Sequence, residues 1–223
     1  MNPPFRNVAL AQWHHVMPRD HAAWLSELHF RSEERLLFEP VDACRLVFPE
    51  QGLLLLRQRN SPDQHGVGML GCGGALVIPA RQPLPWHVQA LQTGEVRMLT
   101  VPVAAMPAYA DLVLPWQIRL LKHVAVWGQC AQRHGLQQRL ATLLLLPPQD
   151  SQWPSHTWRE CFDAPPAKLH AVLEDLQQLG AISVENGRLL ITDRHALTAQ
   201  ACSCLSVLQE MCQGVREDSG AQD

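Results

Sequence analysis

Cysteine and histidine offer this chain most of its possible chemistry. The 223 residues include seven cysteines (Cys44, Cys72, Cys130, Cys161, Cys202, Cys204, Cys212) and eleven histidines. An odd, scattered set of cysteines does not read as a disulfide framework. No Cys-x-x-Cys occurs. Cys202-Ser203-Cys204, with Cys212 beyond, is the one cluster, and Cys-x-Cys is not a spacing of the common zinc sites. The thiols are therefore expected to be packing residues, and no metal or cofactor is assigned. His14-His15, His87 and His123 could in principle ligate haem. His14 and His15 point in different directions on a helix, however, and no two histidines are spaced i, i+4. Enzyme signatures are missing: there is no G-x-S-x-G, no phosphate loop with lysine and no H-E-x-x-H. His134 with Arg139, and Cys161 near Asp163, are more simply explained as structure. The chain is expected not to be an enzyme.

Composition narrows the class further. Eighteen Lys and Arg stand against 21 Asp and Glu, a formal charge of −3, and 17% of residues are charged. That excludes a basic scaffold that coats nucleic acid by bulk charge, and also an acidic tail. No apolar run reaches the roughly 18 residues of a membrane span, and Met1–His15 has no basic start followed by an apolar stretch, so no secretory signal is expected. The expectation is a soluble, cytoplasmic protein of one or two domains. Charge is uneven: residues 1–150 carry 13 Lys and Arg against 11 acids, whereas residues 151–223 carry 5 against 10. Pro147-Pro148-Gln149-Asp150-Ser151 reads as a linker.

The elements that would position any site follow from periodicity. Residues 8–28 read as one or two short helices, with a start signal at Pro18-Arg19-Asp20 and Ala22, Leu25 and Leu28 on one face. Residues 34–105 alternate short apolar runs with turn residues. The runs are Arg35–Glu39, Arg45–Phe48, Leu53–Arg57, Gly66–Leu70, Trp86–Ala90 and Val96–Val101, which suggest a small β-barrel or sandwich. Gly94-Glu95 reads as a hairpin turn. Over residues 111–146 the period becomes helical, with a break at Gly135. Leu114, Ile118, Leu121, Ala125 and Gly128 recur at alternating spacings of four and three. This stripe is either a face packed on the chain's own barrel or a homodimer seam. Trp116, Leu120 and Trp127 lie off it, so the helix has two apolar sides to cover, which favours the seam.

The last third reads as a short helix around Trp158–Phe162, then Asp163 as N-cap with Pro165-Pro166 in the first turn of a second helix. That helix buries Leu169, Val172, Leu173 and Leu176 and ends at Gly180. Two strands flank Asn186-Gly187, a strong hairpin signal. A closing helix over about Arg194–Cys212 is capped by Asp193, and a polar tail follows. Helix, tight turn, helix and hairpin is the plan of a winged helix-turn-helix.

Several stretches together resemble the Crp/Fnr family of bacterial transcription regulators. They are HGLQQRLATLLL at His134–Leu145, LEDLQQLGAI at Leu173–Ile182, NGRLLITDRHAL at Asn186–Leu197 and ACSC at Ala201–Cys204, with LVFP at Leu46–Pro49 and VGMLG at Val67–Gly71 in the β-rich part. The likeness covers about residues 18–212. It implies an α+β fold in three parts. Residues 1–110 would form a double-stranded β-helix or jelly-roll-like, cyclic-nucleotide-binding-like sensor barrel. Residues 111–146 would form a dimerisation helix and connector, and residues 147–223 the winged helix-turn-helix. It also implies a homodimer that binds double-stranded DNA in response to a small-molecule effector.

The resemblance can be tested residue by residue. Family members that bind cyclic nucleotides use a glycine-glutamate pair for the ribose and an arginine for the phosphate, because a cyclic phosphate favours a guanidinium fork. Here no acid lies between Gly66 and Gly94, and the arginine position is Leu84 or Pro85. The barrel is therefore expected not to bind cyclic nucleotide. Gly73, Gly74, Arg81 and His87 remain as a weak effector pocket, the glycines offering backbone amides to an anion or only turning the chain. The iron–sulfur type needs an N-terminal cysteine cluster, and none precedes Cys44. The matching recognition helix opens with Pro165, Pro166, Ala167, Lys168 and His170. Ala167, Lys168 and His170, with Arg188 on the wing and Arg194 after it, are the DNA-contact candidates, whereas Glu174 and Asp175 would repel the backbone. A small residue is expected where Arg159 stands. The alternative is the same fold with DNA reading lost, serving as a dimeric protein-interaction or small-ligand module.

Overall fold

A computed structural model describes residues 5–14, 24–59, 66–84, 86–147, 153–154, 157–186 and 188–213. After helix α1 (Val8–His14) come eight strands: β1 (Leu25–Phe30), β2 (Arg35–Leu36), β3 (Ala43–Gln51), β4 (Leu54–Gln58), β5 (Gly66–Leu70), β6 (Leu76–Ile78), β7 (Trp86–Ala90) and β8 (Gly94–Pro102). They pair antiparallel in two four-stranded sheets, ordered β1-β8-β3-β6 and β2-β7-β4-β5. The run Leu53-Leu54-Leu55-Leu56 shows why the chain folds this way. Neighbouring side chains on a strand point to opposite faces. Leu54 and Leu56 enter the core between the sheets, with Phe30, Val47, Leu76 and Val88. Leu53 and Leu55 enter a different core on the outer face. An unbroken leucine run is thus a strand buried on both sides.

The two outer faces are covered by helices. α1 lays Ala9, Leu10 and Trp13 on Leu46 and Phe48 of β3, with Tyr109 and Trp116 completing the cluster. Asn7 caps α1 by accepting from the Leu10 amide at 3.0 Å. A 3-10 stretch (Val103–Tyr109) leads into α2 (Ala110–Arg133), and α3 (Leu136–Leu145) follows after His134 and Gly135. The opposite sheet shares its outer core with the C-terminal third: Leu53, Leu55 and Met69 pack with Leu140–Leu146, Trp153, Trp158, Leu169 and Leu208.

The C-terminal third contains β9 (Trp153–Pro154), a 3-10 turn (Thr157–Cys161), α4 (Pro166–Gln178), β10 (Ile182–Glu185), β11 (Arg188–Ile191), α5 (Arg194–Gln200) and α6 (Leu205–Gln213). β10 and β11 pair from Ile182↔Ile191 to Glu185↔Arg188, so the Asn-Gly hairpin stands, although Gly187 lies outside the described residues. The C-cap of α4 is Leu179, and Gly180 follows it with a φ of +69° that only glycine adopts easily.

Five expectations need correction. Leu25 and Leu28 lie on strand β1, paired with β8, and not on a helix. Pro18–Asp20 and Ala22 lie outside the described residues, as do Pro148–Ser151 and the tail after Gln213. Gly94 starts β8 and is no turn residue: the β3–β4 turn comes so close that a Cβ there would stand 2.1 Å from the Gln51 carbonyl oxygen. The N-cap of α4 is Pro165, not Asp163. The first helix of the helix-turn-helix is a single 3-10 turn. The closing helix is two helices, broken at Ala201–Cys204. Asp193 does cap α5, accepting from the Ala196 amide at 2.9 Å.

Candidate nucleic-acid interface

α4 buries Leu169, Leu173 and Leu176 and turns its other face outward. Ala167, Lys168 and His170 are exposed on that face, with Glu174 and Asp175 one turn further on. The imidazole of His170 stands 3.3 Å from Glu174 Oε1, so this pair is partly self-engaged. Arg188 is exposed at the start of β11. Arg194 differs: it is half-buried and reaches back to the Leu145 carbonyl at 3.4 Å. Gln209 and Gln213 donate to the same carbonyl at 3.1 and 2.9 Å, closing the C-terminus of α3. Arg194 is thus engaged in holding α5 to α3.

Arg159 stands on the 3-10 turn that takes the place of the first helix. It is exposed, with its guanidinium 5.5 Å from the ring of the buried Trp158. It adds a cation to the element that precedes α4. Glu160 beside it pairs with Arg57 of β4 at 2.7 Å, and Arg57 also donates to Gln89 at 2.8 Å. This half-buried pair ties the barrel to the C-terminal third. Its signal was in the sequence only as two unrelated charges, 103 residues apart.

Of the four effector-pocket candidates, Gly74, Arg81 and His87 each have other partners. Gly71–Gly74 is a turn filled by the chain itself: the Gly71 amide donates to the Met211 carbonyl at 3.0 Å. A Cβ on Gly74 would stand 2.6 Å from Met211 Cε, and Asn7 donates to the Gly74 carbonyl at 2.8 Å. Arg81 makes a two-pronged pair with Asp42 at 2.7 and 2.8 Å on the surface. That pairing holds the Asp42 carboxyl below its usual range. His87 on β7 contacts the Arg35 guanidinium. Burial, with Arg35, Arg59 and Arg57 nearby, pulls its pKa down.

The stripe on α2 faces solvent. Leu114, Ile118 and Leu121 are 60%, 57% and 66% exposed, and Ala125 and Gly128 are exposed as well. Among the described residues, nothing beyond its own stretch of helix lies within 4 Å of a Cβ placed on Gly128. The opposite side of α2 packs on the barrel through Trp116, Leu120 and His123. The fully buried His123 accepts from the Met69 amide at 2.9 Å. Its burial pushes the pKa down to about 4. Among the described residues its Nδ1 has no hydrogen-bond partner. At the far end of α2, Cys130 lies beside Cys202 and Cys204, a convergence that the sequence pattern presents only as scattered thiols. Burial raises the Cys130 pKa. Burial also opposes ionisation of Cys202, but hydrogen bonding, chiefly with Thr142, outweighs it and lowers that pKa.

No protein-family model matches the sequence, and no curated protein matches it. Solved structures do. FixK2 from Bradyrhizobium japonicum is similar over 80% of this chain and 98% of its own, with 12% identity and a TM-score of 0.63. A CRP/FNR family transcriptional regulator from Thermus thermophilus matches 79% of this chain and 98% of its own, with 15% identity and a TM-score of 0.61. A second CRP family regulator from that organism matches 78% and 96%, with 20% identity and a TM-score of 0.55. With its two-sheet barrel, long helix and winged helix-turn-helix, the chain has the fold of the Crp/Fnr transcription regulators.

Proposed function

We propose that the protein is a cytoplasmic, homodimeric transcription regulator that binds duplex DNA through α4 and the β10–β11 wing. The observation that carries this reading is the orientation of α4. Its leucines are sunk in the core, and Ala167, Lys168 and His170 are presented outward next to a hairpin bearing Arg188. The exposed α2 stripe supports the homodimer, since three large apolar side chains in a row on one helix face are costly to leave in water. The filled Gly71–Gly74 turn and the pairing of Arg81 with Asp42 support a barrel that does not take cyclic nucleotide. A different small-molecule effector is part of the proposal.

The test is fluorescence anisotropy with DNA at several salt concentrations. Lys168→Ala is expected to weaken binding and to reduce the salt slope by about one. Unchanged affinity and slope would remove α4 from the contact face. One observation favours a second reading: the outward face of α4 also carries Glu174 and Asp175, and the preceding helix is reduced to one 3-10 turn. On that reading the dimer binds a protein or a small ligand, and no DNA is retained at any salt.

A further inference from the structure

We propose that Cys130, His134, Cys202 and Cys204 form a zinc site that clamps the end of α2 to the corner between α5 and α6. The three sulfurs all lie within 4.8 Å of one another. Cys130 Sγ and Cys202 Sγ are 3.5 Å apart, and Cys204 Sγ is 3.5 Å from His134 Nε2. In a tetrahedral site with Zn–S of about 2.3 Å and Zn–N of about 2.0 Å, neighbouring donors stand roughly 3.5–3.8 Å apart. The Cys130–Cys202 and Cys204–His134 contacts have the length of such edges, and His134 would turn further in towards the other two sulfurs to complete the set. All three cysteines are free thiols.

The donors come from two supports distant in sequence. Cys130 and His134 are one helical turn apart where α2 ends, and the α2 C-cap is His134 itself. Cys202 and Cys204 lie on the corner where the closing helix breaks. The break brings two thiols towards α2 where a continuous helix would carry them past it. An outer partner is also in place. The buried Thr142 hydroxyl accepts from the Cys202 amide at 2.9 Å and lies 3.1 Å from Cys202 Sγ, so its proton can be donated to that sulfur. Metal ligands characteristically have such support. Arg133, whose charge acts on Cys204, offsets the single negative charge of a zinc ion with three thiolates and a neutral imidazole. Cys130 and Cys202 are buried while Cys204 is only half-buried, which gives a route in.

Three thiolates and one imidazole in a tetrahedral frame select zinc among the common divalent ions. Binding requires three thiols to lose their protons to solvent and His134 to use its Nε2 lone pair. No electrons move. The proposal rests on the fold and not on the DNA-binding reading, so each can fail without the other.

The experiment uses the reduced, metal-free full chain, with cobalt(II) as the probe. One cobalt per chain is expected, with the intense visible bands of a tetrahedral thiolate complex, displaced by zinc. Cys202→Ser and Cys204→Ser are expected to lose those bands, and Cys72→Ser to keep them. Thr142→Val should keep the spectrum and bind zinc about 10-fold more weakly. Circular dichroism checks that each variant is folded. A folded wild-type chain giving only the weak bands of octahedral cobalt overturns the proposal. So do intense bands that persist in folded Cys204→Ser.

Discussion

His123 is the titratable group whose protonation the fold alters most plainly. Burial against β5 lowers its pKa from 6.5 to about 4, so the native protein keeps it neutral where the unfolded chain would protonate it. The sign follows from linkage. Above pH 6.5 neither state binds the proton and the residue has no pH effect. From pH 6.5 down towards 4 the unfolded state gains a proton and stability falls, by about 1.4 kcal/mol per pH unit and on the order of 3 kcal/mol in all. Denaturant titrations should show this decline in the wild type and a flatter profile in His123→Gln, whose amide can still accept from Met69. Equal profiles would remove His123 as the cause. The sequence marked His123 only as one of several haem candidates. Its burial depends on β5, which lies more than fifty positions away.

Among elements, β4 and α2 were legible because apolar residues on two sides leave a pattern in the sequence itself. A four-leucine run with turn residues on each side can be satisfied by few arrangements other than a doubly buried strand, and an apolar stripe beside off-stripe tryptophans implies two neighbours. β1 was not legible. It is exposed along most of its length, and its partner β8 is about 70 residues away, so the i, i+3 spacing of Leu25 and Leu28 imitated a helix. The break at Ala201–Cys204 was hidden because helical periodicity resumes on the far side. The candidate site shows the same division: the exposed α4 residues were readable from local pattern, but the Arg57–Glu160 pair and the thiol cluster exist only after long-range folding. That pair supplies a prediction. A double-mutant cycle of Arg57→Ala and Glu160→Ala should give a coupling of about 0.5–1 kcal/mol that shrinks in high salt, since the pair is only partly buried. A coupling of zero would mean that this pair adds nothing to the apolar packing between the barrel and the C-terminal third.

At the scale of the whole molecule, the barrel and the winged helix-turn-helix share one core. Leu53 and Met69 from a barrel sheet are buried together with Leu169 and Leu197 from the C-terminal third. Thermal unfolding is therefore expected to be a single cooperative transition, and two separated transitions by calorimetry would contradict a shared core. Dimerisation would place two copies of α4 on one duplex. Leu121→Glu, at the 66% exposed centre of the α2 stripe, should give a folded monomer by sedimentation and should lose most DNA affinity along with the dimer. A variant that stays a dimer would move the seam elsewhere.

The central claim is that this fold reads duplex DNA as a dimer, and one measurement addresses it most directly. The purified dimer is incubated with fragmented DNA from its source genome at low and then moderate salt, and the retained fragments are sequenced. The account predicts a discrete set of palindromic sites, with half-sites about one helical turn apart, whose retention falls steeply with salt. A protein shown to be folded and dimeric that retains no DNA even at low salt would contradict it.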